Sequence, residues 1–378
     1  MDNLQTSKMA EPAITISAPK SVAQYYDLIV FCHLRWDFVY QRPQHIISRL
    51  AKEYKVLFIE EPVAFSPGEE NSANLIIIHE QLHILQPKVA TIEDIAAIWK
   101  HFVSNHVIPI AWFYSPAFVP LMSYIDMTTV VYDCMDELSL FKGAPQSLIE
   151  QEKYLLANSD IVFTGGKSLY ESKKEMHHNV HCFMSSVDQD HFAKALNGIA
   201  LPDDISAIPT PIIGYFGVID ERLDLDLLKN TAMMNPDYSF VMIGPLAKIN
   251  DEDLPKNDNI HYLGMKSYTE LPGYLKAFDI AMMPFALNDA TKYISPTKTL
   301  EYMAAGKPII STRITDVVRD YSYDVEFVDT PEEFSQAITN WNGKTSTAKK
   351  ADYSEILART SWDVTADAMK QLIKKFVI

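Results

Sequence analysis

The chain has 378 residues, and 49 Asp and Glu against 33 Lys and Arg give it a formal net charge of −16. This acidic balance argues against a nucleic-acid partner, because neutralising phosphates requires clustered Lys and Arg. A hydrophobic fraction of 48% is typical of a folded protein, and the length predicts two or three domains. The three cysteines form no CxxC pair, which excludes a disulfide scaffold and a cysteine-rich zinc site.

The N-terminal residues 1–20 are polar and irregular, without the basic region and apolar core of a secretion signal. The most apolar stretch, Ile108–Met122, contains three prolines and is shorter than the roughly 20 residues that span a bilayer. We therefore expect a flexible N-terminus over residues 1–20 and a soluble, cytoplasmic protein. Peripheral contact with the inner face of a membrane stays open, although a packed terminal helix is the preferred interpretation of the last ten residues.

In the first half of the chain, short apolar runs alternate with amphipathic stretches. Strands are predicted at Asp27–His33, Lys55–Ile59, Leu75–His79, Gln81–Leu85, Ile108–Tyr114, Thr129–Tyr132 and Asp160–Thr164. Helices are predicted at Gln41–Lys52, Ile92–Val103 and Ser147–Asn158. Apolar strands separated by helices indicate a mainly parallel sheet that is covered on both faces.

The second half repeats this alternation. Strands are predicted at Pro211–Phe216, Ser239–Ile243, Ile260–Leu263, Ile280–Pro284, Pro308–Ser311 and Val325–Val328, and helices at Thr269–Phe278, Pro296–Ala305 and Val364–Phe376. The fold class is therefore α/β, with two doubly wound Rossmann-like domains over residues 21–200 and 201–355. The C-terminal helix, within residues 356–378, is expected to pack back on the first domain. Ligands of such sheets bind beyond the carboxyl ends of the strands, so we expect the site in a cleft between the domains.

The segment from Ser295 to Pro308 carries the sharpest local pattern. Ser295 is a favoured N-cap, Pro296 suits the first helical position, and Gly306 suits the residue after the helix. Free N–H groups at the helix start, together with Thr297 and Lys298, would cradle a diphosphate.

On the same helix, Glu301 would accept hydrogen bonds from ribose hydroxyls. Periodicity places Leu300, Met303 and Ala304 on the sheet, and Lys298, Glu301 and Tyr302 on the opposite face. The alternative is an ordinary surface helix on which Lys298 and Glu301 form an i,i+3 pair.

This segment resembles the donor-binding motif of the retaining family 4 glycosyltransferases, which have the GT-B fold. In that family an E-x7-E pattern precedes A-x-G-x-P. Glu301 matches the second glutamate, and Ala305, Gly306 and Pro308 continue the match. Tyr293 occupies the place of the first glutamate, as in a branch with Ser-Pro-x-Lys-x-x-Glu-Tyr, so this chain departs from the family where the donor sugar is usually held.

Two other segments are similar to the same family. Ile213-Gly214-Tyr215-Phe216-Gly217 resembles the strand and glycine turn that approach the donor phosphates, with Arg222 as the basic residue that contacts them. Ser361-Trp362 resembles the start of the helix that returns to the first domain. The resemblance implies that Lys298, Arg222 and backbone N–H groups stabilise the leaving group, without a metal or another cofactor.

In the first domain, the loop after the first strand resembles that of polysaccharide-type glycosyltransferases. Trp36 and Tyr40 would stack on a sugar, and Arg42 would pair with an acidic or phosphorylated acceptor. The alternative is a packed aromatic loop with a solvated arginine. After another strand, Asp133 and Asp136 would orient an acceptor hydroxyl or do acid–base work, against the alternative of a helix-capping Asp.

No grouping of side chains indicates a metal site, because Asp133-Cys-Met-Asp136 lacks D-x-D spacing. Gly165-Gly166-Lys167-Ser168 lacks the first glycine of a phosphate loop. The expected activity is transfer of a sugar from a nucleotide-diphosphate sugar to a saccharide or lipid-linked acceptor, as a hexosyltransferase in cell-envelope or exopolysaccharide synthesis. Two alternatives stay open: a nucleotide-sugar 2-epimerase of the same fold, and a non-catalytic nucleotide- or carbohydrate-binding subunit. The base, the sugar, the acceptor and the oligomeric state stay open as well.

Overall fold

The computed structural model describes residues 22–63, 65–342 and 353–376 and the backbone of residues 14–17. A nine-stranded sheet occupies the first half. Its strands are β1 (Ile14–Ser17), β2 (Leu28–Cys32), β3 (Val56–Glu60), β4 (Ser72–His79), β5 (Leu82–Lys88), β6 (Ile108–Phe113), β7 (Met127–Cys134), β8 (Ile161–Thr164) and β9 (Val180–Cys182). Their order is β1-β4-β5-β3-β2-β6-β7-β8-β9. Strands β3, β2, β6, β7, β8 and β9 are parallel, whereas β4 pairs antiparallel with both β1 and β5.

The helices of this half are α1 (Arg42–Leu50), α2 (Ile95–Ile98), α3 (Ser147–Asn158) and α4 (Lys167–Lys173), followed by α5 (Gln189–Phe192) and α6 (Asp203–Ser206). Short 3₁₀ turns lie at Trp99–His101, Pro116–Ser123, Leu138–Leu140 and Ala193–Leu196. The helix expected over 92–103 is therefore interrupted, with a 3₁₀ turn directly after α2. Strand β2 shows why the sheet is covered on both faces: Ile29 and Phe31 belong to one buried cluster, and Leu28 and Val30 to the other.

The second sheet has six parallel strands in the order β12-β11-β10-β13-β14-β15. They are β10 (Ile212–Phe216), β11 (Ser239–Ile243), β12 (Ile260–Tyr262), β13 (Ile280–Met283), β14 (Ile309–Ser311) and β15 (Glu326–Phe327). The helices are α7 (Leu225–Met234), α8 (Leu271–Ala277), α9 (Lys298–Ala304), α10 (Thr315–Tyr321), α11 (Pro331–Asn342), α12 (Ser354–Leu357) and α13 (Trp362–Ile373), with 3₁₀ turns at Asp251–Asp253 and Asp289–Thr291.

The chain joins the second core earlier than the expected boundary at 200/201. Val187, Phe192 and Ala195 all belong to the buried cluster of the second sheet. These apolar side chains have little to bury on the first sheet after β9 ends, so they pack near α8 and α9. The domain boundary therefore lies between Cys182 and Val187, and the Gly-, Pro- and Asp-rich stretch that suggested a linker is part of the second domain.

Helix α13 returns to the first domain. Trp362, Ala366, Met369 and Ile373 are buried in the same cluster as the inner face of α1. The helix begins at Trp362 because the Ser361 hydroxyl accepts a hydrogen bond from the Asp363 N–H. Within the described ranges, the structure holds no helix with the length and apolarity needed to cross a bilayer.

Candidate active site

The cleft between the domains contains two neighbouring cavities that open to solvent. The first cavity lies between the loop after β2 and the ends of β10, β11 and α9. The second cavity reaches further into the first domain. Gln41, Thr297 and Lys298 line both. The site expected beyond the carboxyl ends of the strands is therefore a continuous interdomain space.

Two glycine turns form the wall of the first cavity. Gly217 follows β10 with φ +142°, and Gly244 follows β11 with φ +149°. A Cβ atom on Gly217 would lie 2.2 Å from Cε of Lys298, and one on Gly244 would lie 1.8 Å from the Gly217 carbonyl oxygen. Close packing of strand ends against Lys298 thus requires glycine at both positions. Gly244 was not predicted, although its place directly after an apolar strand is the signal that identified Gly217.

Helix α9 carries Lys298 and Glu301 into this space. It begins at Lys298, with Thr297 before it, so the expected N-cap at Ser295 and first helical position at Pro296 are wrong. The Ser295 carbonyl accepts a hydrogen bond of 2.6 Å from the hydroxyl of Ser185 in the segment that leaves the first domain. Ser295, Pro296 and Thr297 lie ahead of the helix and line the second cavity.

The opposite charges of Lys298 and Glu301 face the cavity without forming an ion pair. Lys298 Nζ lies 6.0 Å from the centre of the Tyr215 ring, and no carboxylate among the described residues forms an ion pair with it. Burial lowers the pKa of Lys298, with Glu301 opposing the shift. Burial raises the pKa of Glu301 to about 7, and Lys298 opposes that shift. The alternative of an ordinary surface i,i+3 pair is therefore wrong.

The helical periodicity placed Tyr302 on the face of α9 that points away from the sheet, and this prediction is wrong. Its side chain is fully buried, and its hydroxyl accepts a hydrogen bond of 3.2 Å from the Phe216 N–H. Periodicity assumed one buried face, but the end of β10 covers a second. Tyr302 thereby supports the residue that precedes the Gly217 turn.

Arg222 of the second domain and Asp136 of the first domain both line the second cavity. Arg222 already has a carboxylate partner, since its Nη2 donates to Asp220 Oδ2 at 2.7 Å and its Nε donates to both Asp220 oxygens at 3.0 Å. The Phe141 ring of the first domain lies 5.6 Å from the Arg222 guanidinium. Burial raises the pKa of Asp136 to about 6, against the opposing charges of Arg222 and Lys298. Asp220 and Phe141 were missed because neither stands in a motif.

Arg42 lines the second cavity but is bound to Asp133, and this pairing argues against the roles expected of both residues. Asp133 is fully buried and accepts hydrogen bonds from Arg42 Nη2 at 2.8 Å and from Arg42 Nε at 3.1 Å. Arg42 Nη1 donates to the Phe183 carbonyl at 2.7 Å. A carboxylate held in a buried ion pair is a poor acid–base group, and a guanidinium so occupied has little left for an acceptor. This pair joins the start of α1 to the end of β7.

The two aromatic residues expected to stack on a sugar pack on protein instead. Trp36 lies edge-on to Phe58 with ring centres 5.1 Å apart. Tyr40 lines the first cavity, but its ring is 4.7 Å from that of Tyr268, which itself stacks on His191 at 4.2 Å. Tyr40 and Tyr268 thus connect the domains beside the cavity. The aromatic residues are packed, as the alternative interpretation expected, but its solvated arginine is wrong, because Arg42 is buried.

Tyr293, at the position of the family's first glutamate, packs against the buried cluster of the first domain. It therefore serves the contact between the domains rather than the cavity wall. Among the residues that the structure describes, no three His, Cys, Asp or Glu side chains form a group that could hold a metal ion.

The chain is similar in sequence and in fold to known proteins. Residues 210–341 match the family model described as glycosyl transferases group 1. The chain is 24% identical over 273 residues to a protein of Bacillus subtilis (strain 168) named putative teichuronic acid biosynthesis glycosyltransferase TuaH, which covers 66% of this chain and 67% of that protein.

Two solved structures share the architecture. Sucrose-phosphate synthase (tll1590) from Thermosynechococcus elongatus has a TM-score of 0.68 at 14% identity, over 92% of this chain and 98% of that one. Anabaena Alr3699/HepE in complex with UDP and glucose has a TM-score of 0.65 at 11% identity, over 93% of this chain and 100% of that one. Together with the two-sheet cleft, these similarities show that the chain has the GT-B fold and that residues 210–341 are similar to the group 1 glycosyl transferases.

Proposed function

We propose that this glycosyltransferase moves a sugar from a uridine diphosphate sugar to a saccharide or lipid-linked acceptor in the synthesis of a bacterial cell-envelope polysaccharide. The observation that carries the proposal is the Lys298 ammonium, which has no ion-pair partner among the described residues and packs against the Gly217 turn at the junction of the two cavities. A buried cation without a carboxylate partner costs stability, and an anionic ligand compensates that cost.

The donor would span both cavities. Its diphosphate would lie against the Gly217 and Gly244 turns, where backbone can approach closely, with Lys298 and Arg222 supplying positive charge. Its ribose would lie in the first cavity with hydroxyls toward Glu301. Uridine is favoured because HepE, which shares the fold, binds UDP and glucose.

The sugar and the acceptor would meet in the second cavity. Asp136 would orient the acceptor hydroxyl there, since Asp133 is occupied by Arg42. Lys298 and Arg222 would stabilise the charge on the departing diphosphate, which is where preorganised positive groups accelerate transfer. We propose transfer with retention at the anomeric carbon and without a metal ion. The name of the Bacillus subtilis relative, which mentions teichuronic acid biosynthesis, supports a polysaccharide product.

The first experiment is calorimetric titration of UDP, GDP, ADP and CMP, with EDTA present, on the wild type and Lys298→Ala. We expect micromolar binding of UDP by the wild type and a loss of at least about tenfold in the variant, because a charge-assisted contact to phosphate is removed. The free energy of unfolding should change by no more than about 1 kcal/mol, since the variant also removes a buried charge.

Lys292→Ala is the matched control, because Lys292 is an exposed lysine of the same segment and lies over the Tyr293 ring. Its UDP affinity should equal that of the wild type. Equal UDP affinity of wild type and Lys298→Ala would contradict the assignment of the diphosphate. Isomerised UDP-sugar, rather than transferred sugar, in a product analysis would favour an epimerase.

A further inference from the structure

Residues 135–141, the cleft loop, follow β7 and contact the second domain. The loop places Asp136 in the second cavity with Arg222 and Lys298. At its far end the Phe141 ring lies 4.9 Å from Lys248 Nζ and also packs on Arg222. The loop thus brings a carboxylate of the first domain toward two cations of the second.

A buried ion-pair network holds this loop from behind. Lys173, the last residue of α4, is 2% exposed, and its Nζ lies 2.8 Å from Glu137 Oε2 and 2.9 Å from Glu152 Oε1. Glu152 Oε1 also accepts a hydrogen bond of 2.7 Å from the Tyr132 hydroxyl. Glu152 belongs to α3 and Tyr132 to β7, so Glu137 is the member of the network that the loop supplies. The ammonium of Lys173 therefore ties the loop to three elements of the first domain.

Gly165 forms the floor of the loop. A Cβ atom there would lie 2.8 Å from the Met135 carbonyl oxygen, and the Gly165 N–H donates to the Cys134 carbonyl at 2.9 Å. The Cys134 thiol donates to the Asp136 carbonyl at 3.6 Å. These contacts explain the first glycine of the Gly165-Gly166-Lys167-Ser168 segment without any phosphate: it admits the cleft loop.

We propose that Lys173 is a positioning residue of the transferase, which fixes the cleft loop through Glu137. The fixed loop keeps the Asp136 carboxylate facing Arg222 and Lys298, and this carboxylate lowers the affinity of the site for anions. This inference rests on the proposed donor site, in which those two cations bind the diphosphate. In the ligand-free enzyme Asp136 acts as the counter-ion of Arg222 and Lys298. A departing nucleoside diphosphate leaves more readily because the carboxylate returns to these cations.

Glu137→Ala is the most direct test of the anchoring. Removal of Lys173 would leave two carboxylates facing each other in a buried space, and the variant could fail to fold. Removal of the Glu137 side chain instead leaves Lys173 and Glu152 as a balanced pair. Hydrogen exchange of the backbone amides in residues 135–141 should become at least tenfold faster, while exchange in α4 and β7 stays unchanged. Glu137→Gln, which can still accept a hydrogen bond from Lys173, should restore part of the protection.

The effect on the site is measured by UDP titration at pH 8, where Asp136 is ionised. Asp136→Asn should raise UDP affinity by about threefold or more, because a like charge beside the diphosphate is removed. Glu137→Ala should raise it similarly, and the double variant should gain no more than either single one, since both act through the same carboxylate. Lys174→Met, a change at the exposed lysine next to Lys173, should alter neither readout.

The two proposals fail in different ways. Unchanged exchange in Glu137→Ala would contradict the anchoring whatever the ligand. Additive gains in the double variant, or a gain in Asp136→Asn without one in Glu137→Ala, would contradict positioning through Glu137. Absence of UDP binding to the wild type would instead contradict the proposed donor site, while the exchange measurement would still decide whether the loop is fixed by Lys173.

Discussion

Glu301 and Lys298 carry opposite charges into the cleft without forming an ion pair, an arrangement that costs stability. The structure holds the two groups apart on one helix, with Glu301 buried and Lys298 half-buried. Burial lowers the pKa of Lys298 and raises that of Glu301, so both shifts favour the neutral form of the side chain. Groups with such pKa shifts in a cleft are typical of binding and catalytic sites, because the ligand supplies a charge or hydrogen-bond partner for them.

Glu301→Gln should therefore make the protein more stable at alkaline pH. The pKa of Glu301 rises from its ordinary value of 4.5 to about 7 on folding, so the folded state binds the proton more tightly than the unfolded state does. Wild-type stability from this group is then lost as pH rises from about 4.5 through about 7, by up to about 3 kcal/mol. Thermal unfolding of wild type and variant should agree at pH 5, and the variant should be more stable at pH 8.

The same substitution should weaken binding of UDP-glucose by about fivefold or more at pH 8, because an amide accepts fewer hydroxyl hydrogen bonds than a carboxylate. UDP-glucose is the suitable probe, since its diphosphate does not titrate near neutrality. Glu252→Gln, at an exposed acid of the same domain, serves as the control for both measurements. A variant that is no more stable than the wild type at pH 8 would show that Glu301 is not held against its ionisation.

At the scale of elements, the turns after β10 and β11 form one structural unit. Gly244 packs on the Gly217 backbone, Gly217 packs on Lys298, and Tyr302 supports the end of β10 from below. The position of Lys298 is therefore determined by two strand ends as well as by its own helix. A change in either turn should therefore alter the affinity for an anionic ligand at Lys298.

Gly217→Ala should reduce UDP affinity by at least about tenfold and destabilise the protein by about 1–3 kcal/mol. The added methyl group would lie 2.2 Å from Lys298 Cε on a backbone with φ +142°, so both a steric and a backbone penalty apply. Gly264→Ala is the matched control, because that glycine also has positive φ but has no atom within 4 Å of the added group. It should lose stability alone. Equal UDP affinity in Gly217→Ala and Gly264→Ala would contradict the role of the turn.

Local sequence predicted the elements whose limits depend on local contacts. Ser147–Asn158 and Ser239–Ile243 have the predicted bounds, because an amphipathic run and a β-branched apolar run each fix their own structure. The start of α9 was wrong because a partner 110 residues away, Ser185, holds Ser295. The pairing of Arg42 with Asp133, 91 residues apart, was equally invisible to spacing. The residues of the site were therefore found more readily than their partners.

Hydrogen bonds and an ion pair between α4 and α10 join the two domains beside the cleft. Asp316 of α10 is 2% exposed and accepts hydrogen bonds from the Ser168 hydroxyl at 2.5 Å and from the Ser168 N–H at 3.2 Å. Arg319 binds both carboxylate oxygens of Glu171 at 3.1 Å. A Cβ atom on Gly166 would lie 2.5 Å from Asp316 Oδ2. The second glycine of that segment thus admits the other domain, as the first admits the cleft loop.

Asp316→Ala should uncouple the domains without unfolding either. The variant removes the acceptor of the Ser168 N–H and hydroxyl, at a cost of about 1–3 kcal/mol to the contact between α4 and α10. Because each sheet has its own buried core, we expect the calorimetric unfolding transition to broaden or split into two. The radius of gyration from small-angle scattering should rise as the cleft opens.

Asp329→Ala is the control for this prediction, since Asp329 binds Arg313 in an exposed ion pair within the second domain. Exposed pairs contribute little, so its unfolding transition should stay single and shift by no more than about 0.5 kcal/mol. Addition of UDP should restore part of the compact shape of Asp316→Ala, because the proposed donor cavity is lined by both domains. If Asp316→Ala and Asp329→Ala unfold and scatter alike, the α4–α10 contact does not hold the domains together. The aromatic contact of Tyr40 with Tyr268 would then be the next one to test.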